Sequence, residues 1–487
     1  MQIHLRRACS ALLLSIGLAA IGGCAVNPVS GDTQLAISES KEIAIGREAD
    51  PQVRKEYGVY DNPALQAYVN EIGQRLAQNS HRSNLQWTFT VVDSPEINAF
   101  ALPGGYVYIT RGLMAYLNSE AELAGVLGHE IGHVTARHGA QQQAQSQVVG
   151  IGAVAMEVLG QVYLGRGGAG QVASQAGQGL WLLPNSREHE LEADRLGAEY
   201  LQRIGQDPAT MITVLKVLKQ NEVFSADEAR AAGRPAKSQP NYLSTHPSND
   251  QRLEEIAQIA AQYTGKYEDA GRERYLQKIN GMTFGDSAAQ GVVRGRHFYH
   301  APLGLTLHAP AGWKFQNESE QLLIVSPDEQ AAILMVPANT HGDLEAAIGK
   351  LQASNARSER IGINGLEALS FSGTRQGASI EATAITLDNN DYILRPLAKT
   401  ADARTRFRAD MQAIIQSFRA MNAADAELAR PYALKIVAAP GGSIAALVPA
   451  LSRNAAQIRN PDGQLRLLNQ VYPEGEIRTG QSIKTLQ

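Results

Sequence analysis

The stretch Leu127-Gly128-His129-Glu130-Ile131-Gly132-His133 sets two histidines four residues apart, with a glutamate beside the first. On a helix such residues share one face, so two imidazoles can hold one zinc ion at about 2.0–2.1 Å each. Glu130 then points beside the metal, where a general base for a metal-bound water belongs. A catalytic zinc also needs a third protein ligand and an open fourth position. Residues 186–194, Ser-Arg-Glu-His-Glu-Leu-Glu-Ala-Asp, offer candidates. Glu190 and Asp194 are again four apart: Glu190 can ligate, and Asp194 can accept a hydrogen bond from a ligand imidazole and fix its tautomer. The alternative is a solvated acidic face, but Glu188, Glu190, Glu192 and Asp194 crowd together and call for a cation.

Both stretches read as helices. Ser119 with Glu122 is a capping-box pattern, Leu123, Val126, Leu127, Ile131 and Val134 recur at helical spacing, and Gly139 is a plausible C-cap. Gly125, Gly128 and Gly132 imply that another backbone packs close. The second helix opens with Asn185 or Ser186 as N-cap and carries Leu191, Leu196 and Leu201. His138 is expected at the C-terminal dipole of the first helix, and His189 faces about 100° away from Glu190, so neither is expected to ligate.

His-Glu-x-x-His followed by Ser-Arg-x-x-Glu-x-Glu-Ala-Asp resembles the zinc metallopeptidases that include the CaaX prenyl protease, HtpX and the periplasmic BepA. The resemblance covers roughly residues 27–265. It implies His129, His133 and Glu190 as ligands of one Zn2+ per chain, Glu130 as catalytic base and Asp194 as supporting acid. Residues 98–107 (Asn-Ala-Phe-Ala-Leu-Pro-Gly-Gly-Tyr-Val) resemble the strand pair before that family's metal helix. By the same resemblance Asn98, Ala99, Phe100 and Ala101 bind substrate backbone by strand addition. Ser244-Thr245-His246-Pro247, with Arg252-Leu253 beyond, resembles its downstream histidine motif. His246 is then catalytic as an oxyanion stabiliser, or takes the open metal position and keeps the enzyme latent.

The chain has 487 residues, a length for two to four domains, with 44% hydrophobic and 19% charged residues, ordinary for globular protein. A formal charge of −4 gives no reason to invoke nucleic acid. Residues 1–23, with Arg6 and Arg7 before an apolar run, read as a signal peptide. Ile21-Gly22-Gly23-Cys24 resembles a bacterial lipobox, with Cys24 the lipidated anchor. The other of the two cysteines, Cys9, falls in the removed segment. A tether spans 24–37 and a peptidase domain 38–265. Residues 148–164 read as a buried core helix, or as a mobile or membrane-leaning cover of the cleft; the glycine-rich 165–179 reads as a loose loop that would suit a lid. Residues 208–223 read as helix and 224–242 as surface loop.

Residues 292–421 read as a separate α+β domain, with strands at 305–307, 322–325, 331–336, 366–371, 380–387 and 392–397 and helices at 344–354 and 403–421. Its opening, Gly304 to Trp313, resembles PsbP-like domains. Residues 431–487, with Leu468-Asn469 and Thr479-Gly480-Gln481-Ser482, resemble a degenerate LysM repeat; they read either as a peptidoglycan-binding module or as a structural cap. The expected class is therefore α+β: a mainly helical zincin-type peptidase domain with a small edge-strand sheet, a second α+β domain and a LysM-like unit. The expected function is a zinc-dependent endopeptidase of the bacterial envelope, acting by Glu-assisted attack of zinc-bound water on unfolded or misassembled envelope proteins. It is expected in the periplasm, anchored through Cys24 to the inner face of the outer membrane. A cell-wall peptide hydrolase and a chaperone-like adaptor with a latent site are the alternatives.

Overall fold

The computed structural model describes residues 23–149, 185–231, 233, 246, 250–317, 321–441, 443–451 and 458–487. Residues 1–22 of the targeting segment and the 150–184 stretch lie outside these residues. The chain forms two units, Met1–Met282 with Ala433–Gln487, and Thr283–Tyr432.

The first unit opens with a hairpin, β1 (Gly23–Val26) and β2 (Thr33–Ala36), then α1 (Glu39–Tyr57) and α2 (Pro63–Gln78). Ser38 caps α1, which runs on through Pro51. The last turns are tied down: Asp50 accepts from Arg54 Nε at 2.7 Å and from the Tyr108 hydroxyl at 2.5 Å, and Val53 is buried. In α2, Leu65, Tyr68, Val69 and Leu76 bury one stripe. A three-stranded sheet follows: β3 (Thr88–Val92), β4 (Ala99–Leu102) and β5 (Tyr106–Thr110), in the order β3-β5-β4. β3 runs parallel and β4 antiparallel to β5, which leaves β4 an edge strand among the described residues.

Next come α3 (Arg111–Tyr116) and α4 (Glu120–Thr135), the helix of the paired histidines. Ser119 Oγ accepts from Glu122 N at 3.1 Å, as a capping box requires, but the Glu122 carboxylate takes the Asn118 N–H instead, at 2.7 Å. α4 ends before the expected stop. Arg137, not Gly139, adopts the left-handed conformation (φ 63°) that breaks the helix. Its side chain makes that turn tolerable, because Nε donates to Glu42 at 2.9 Å and Nη2 to the Ile37 carbonyl at 2.6 Å. His138 therefore begins α5 (His138–Val149) instead of closing α4.

α6 (Arg187–Arg203), capped by Ser186, packs along α4. A Cβ on Gly132 would lie 3.0 Å from Ala193 Cα, and one on Gly128 3.4 Å from Gly197 Cα, so these glycines admit the α6 backbone. The unit continues with α7 (Thr210–Ala231), α8 (Asp250–Ala260) and α9 (Arg272–Ile279). α7 extends through the first eight residues expected as loop. Phe224 packs edge-on to Tyr472 at 5.3 Å, and Asp227 accepts from the Tyr472 hydroxyl at 2.6 Å.

The second unit contains β6 (Val292–Arg294), β7 (His297–His300), β8 (Leu305–His308), β9 (Lys314–Asn317), β10 (Leu322–Val325) and β11 (Ala331–Pro337). Then follow α10 (Leu344–Gly349), β12 (Ser354–Ile363), β13 (Leu366–Arg375), β14 (Ala378–Leu387), β15 (Asn390–Ala398), α11 (Ala401–Arg406), α12 (Arg408–Gln416) and β16 (Arg419–Ala420). Seven strands form one antiparallel sheet, β9-β10-β11-β15-β14-β13-β12, and four form another, β16-β8-β7-β6. Alternation buries both faces of the large sheet. Ala368, Ile385 and Leu394 join Phe298, Trp313 and Phe418 on one side, while Leu369, Ala384 and Ile393 join Leu344 and Ile348 of α10 on the other. The helix expected over 344–354 stops at Gly349, and β12 starts where it was to end.

The chain then returns to the first unit through β17 (Tyr432–Ala438), α13 (Pro461–Leu468) and β18 (Ser482–Leu486), with β17 and β18 antiparallel. Lys484 is fully buried, and its ammonium donates to the carbonyls of Ala115 (2.5 Å) and Leu117 (2.8 Å), immediately ahead of α4. Gln470 donates to Glu122 at 2.7 Å, and Asn469 bridges the Lys484 backbone at 2.8 and 2.9 Å. Lys484→Met is expected to destabilise the protein by about 1–3 kcal/mol for each carbonyl it strands, a loss readable by urea unfolding.

Candidate active site

α4 and α6 bring the paired histidines and the acidic stretch into one buried cluster. His129, Glu130, Glu190, Asp194 and His246 are each no more than 3% exposed, and His133 is 7% exposed. His133 Nε2 lies 3.0 Å from His129 Nε2 and 3.3 Å from Glu190 Oε1. His246 Nδ1 lies 3.2 Å from His129 Nε2 and 2.9 Å from Glu190 Oε1. One donor atom from each of these four residues falls within 4.8 Å of all the others. Ligand atoms about 2.0–2.1 Å from one tetrahedral centre are separated by about 3.3–3.4 Å, close to these spacings.

The partners on the far side of each ring decide what faces the centre. His129 Nδ1 lies 2.9 Å from Asp194 Oδ1, a carboxylate that only accepts, so Nδ1 carries a proton and Nε2 is the nitrogen left facing the centre. A second chain does the same for His133. His138 Nε2 lies 3.2 Å from Glu192 Oε2 and therefore donates; its Nδ1, 2.9 Å from His133 Nδ1, then accepts. His133 Nε2 is thereby left with its lone pair toward His129. Burial lowers the His138 pKa against the pull of Glu192, consistent with a neutral ring. Burial likewise takes His133 well below the ordinary histidine value, against the pull of Glu190. Two imidazole nitrogens and a carboxylate converging at about 3 Å fit a bound cation, which would take the place of any proton on His129 Nε2.

The carboxylates stay ionised. Burial alone would raise Glu190, but the imidazoles of His246, His129 and His133 hold it well below the ordinary range. Asp194 is raised by burial and lowered further by Arg252 and His129. Arg252 is a fork beneath both acids: Nε and Nη2 each lie 2.8 Å from an Asp194 oxygen, Nη1 lies 2.9 Å from Glu190 Oε2, and Nη1 also donates to the His246 carbonyl at 3.3 Å. The Glu130 carboxylate lies 3.6 Å from His246 Nε2, beside the donor cluster.

Of the expected site residues, the structure thus brings His129, Glu130, His133, Glu190, Asp194 and His246 together. The residues flanking His246, 234–245 and 247–249, lie outside the described ones. Asn98, Ala99 and Phe100 are buried, and Phe100 stacks on Tyr108 at 5.0 Å, so these side chains serve the core, while Ala101 is half-buried and the backbone edge of β4 is open to a ligand. The Cys24 backbone pairs with Leu35 in β1–β2.

Residues 63–260 match peptidase family M48. The beta-barrel assembly-enhancing protease of Escherichia coli (strain K12) is 32% identical over 246 residues, 50% of this chain and 48% of that one. The Yersinia pestis protein of the same description is 34% identical over 230 residues, 46% and 45% of the two chains. Mitochondrial metalloendopeptidase OMA1 of Schizosaccharomyces pombe is 30% identical over 229 residues, 45% and 61%. The chain therefore spans about half the length of the beta-barrel assembly-enhancing proteases it matches. The solution structure of cyanobacterial PsbP from Synechocystis aligns over 28% of this chain and 98% of its own at 11% identity and a TM-score of 0.20, too low to assign a shared fold.

Helical spacing alone does not mark His138 or Glu192 as parts of the site. In place of the expected helix-end role, His138 orients His133, and its ring stacks on His189 at 4.1 Å and 14°. The available signal was Glu192, on the α6 segment that also carries Glu190. His138→Ala is expected to weaken zinc binding about 10–100-fold, measured by competition with a chromogenic chelator. His138→Phe, which keeps the stacking ring but not the hydrogen bonds, should weaken it to a similar degree.

Proposed function

We propose that this chain is a zinc-dependent endopeptidase of the bacterial cell envelope. The observation that carries the reading is the convergence of donor atoms from His129, His133, Glu190 and His246 at ion-binding spacing, with Glu130 alongside. In this reading His129, His133 and Glu190 hold zinc, Asp194 and His138 orient the two imidazoles, and Arg252 balances the acids. Zinc held there would supply Lewis acidity, polarising a carbonyl and bringing the pKa of a water to about 7. Glu130 takes a proton from the attacking water and delivers it to the leaving amine. The substrate chain lies along the outer edge of β4 and is read through its backbone, which favours extended, unfolded segments. The lipobox-like Cys24 supports anchorage on the periplasmic side. The relatives named for β-barrel assembly support envelope proteins as substrates. Among the described residues no helix is long and apolar enough to cross a membrane.

Purified protein should cleave casein and leave isolated peptidoglycan intact. Cleavage of peptidoglycan alone would support the cell-wall reading, and zinc binding without cleavage of either would support the adaptor.

For His246, the position of Nδ1 among the ligand atoms supports the latch. His246→Ala should then bind zinc and cleave casein faster than the wild type. Loss of about 10²–10³ in rate would instead assign the oxyanion role.

A further inference from the structure

We propose that the second unit is a dimerisation module in which two copies of this chain pair antiparallel through β12, with Ser358 on the twofold axis. β12 ends the seven-stranded sheet, and among the described residues its outer side has no partner strand. It is ten residues long, and Ser354 through Arg360 are all exposed. Such an edge is a template for another strand.

The hairpin to β13 fixes which backbone groups are free. Asn364 and Gly365 have φ of 49° and 83°, a two-residue turn with positive φ at both positions, and Ile363 pairs with Leu366 across it. The turn bond closes that pair, and bonded pairs then alternate along the ladder. Ile361, Glu359 and Arg357 therefore direct their N–H and C=O groups into β13, while Gly362, Arg360 and Ser358 direct theirs outward. The register shift between Ser354 and Arg357 ends this regular stretch.

The side chains select the occupant. With Ser358 opposite Ser358 of the second copy, Arg357 stands opposite Glu359 of the second copy, and Glu359 opposite its Arg357. Two cross-strand ion pairs of opposite sign result. Moving the axis one residue either way places Arg357 opposite Arg357, or Glu359 opposite Glu359, which repel. This register also matches outward-facing residues with outward-facing ones, as a ladder requires. Charges on an edge normally block pairing; here they are complementary to the same strand turned around. An isologous contact of this kind closes at two copies.

The test is sedimentation equilibrium of the full chain at about 100 µM, well above the Kd of a micromolar interface. The wild type should sediment at twice the chain mass. Ser358→Pro removes an outward N–H that β13 does not use, and should give the monomer, with an unfolding midpoint equal to that of the wild type when both are diluted well below that Kd. Arg357→Glu should also give the monomer. Adding Glu359→Arg to it restores opposite signs across the axis and should restore the dimer, an outcome that a purely structural effect of either change would not produce. A monomeric wild type, a dimer that survives Ser358→Pro, or a double variant that stays monomeric would each overturn the proposal. If Ser358→Pro fails to fold, the charge-swap pair decides alone.

Discussion

Glu130→Gln is expected to lower casein cleavage by about 10²–10⁴-fold while the metal content of the protein stays unchanged. The two parts of this expectation have separate causes. Glu130 is buried beside the donor cluster, its carboxylate 3.6 Å from His246 Nε2, and it supplies no atom to the set of four. Glutamine matches its shape and keeps a polar group in the buried site, so the ligands stay in place. What is lost is a group able to accept a proton from water and return it to the amine. Active-site titration against fluorescent casein, with metal analysis on the same sample, checks both. Cleavage within threefold of wild type, or zinc lost with the carboxylate, would show that Glu130 is not the base.

Arg252→Met is expected to destabilise the protein by about 3–5 kcal/mol, because it leaves two buried carboxylates without their cation. Glu190 and Asp194 are no more than 1% exposed, and Arg252 contacts both at 2.8–2.9 Å. The loss should be largest in chelator-treated protein and smaller once zinc is added, since bound metal restores positive charge at Glu190. Arg252→Lys keeps the charge but not the fork, so it should fall between the wild type and Arg252→Met. Urea unfolding with and without metal measures all three. A loss below 1 kcal/mol in the metal-free protein would contradict the role assigned to Arg252.

The paired histidines and the Glu190–Asp194 pair were legible in the sequence because helical periodicity alone places such residues on one face. The close approach of a second backbone was legible from Gly128 and Gly132, since little else accounts for glycines in a helix interior. His138 was not legible. Its position depends on Arg137 adopting a left-handed conformation, held by Glu42 and the Ile37 carbonyl, roughly a hundred residues earlier in the chain. β12 was missed for another reason: with seven exposed residues in a row it lacks the apolar alternation that marks a half-buried strand. The placement of Lys484 was equally hidden, because nothing local to a C-terminal lysine signals two carbonyl partners more than three hundred residues away.

Zinc stoichiometry, read by mass spectrometry of metal content on wild type, His133→Ala and Glu190→Gln, tests the central claim most directly. The account predicts one zinc per wild-type chain and loss of that zinc on dialysis of either variant. A wild type that binds no zinc when prepared without chelator, or variants that keep a full equivalent, would contradict it.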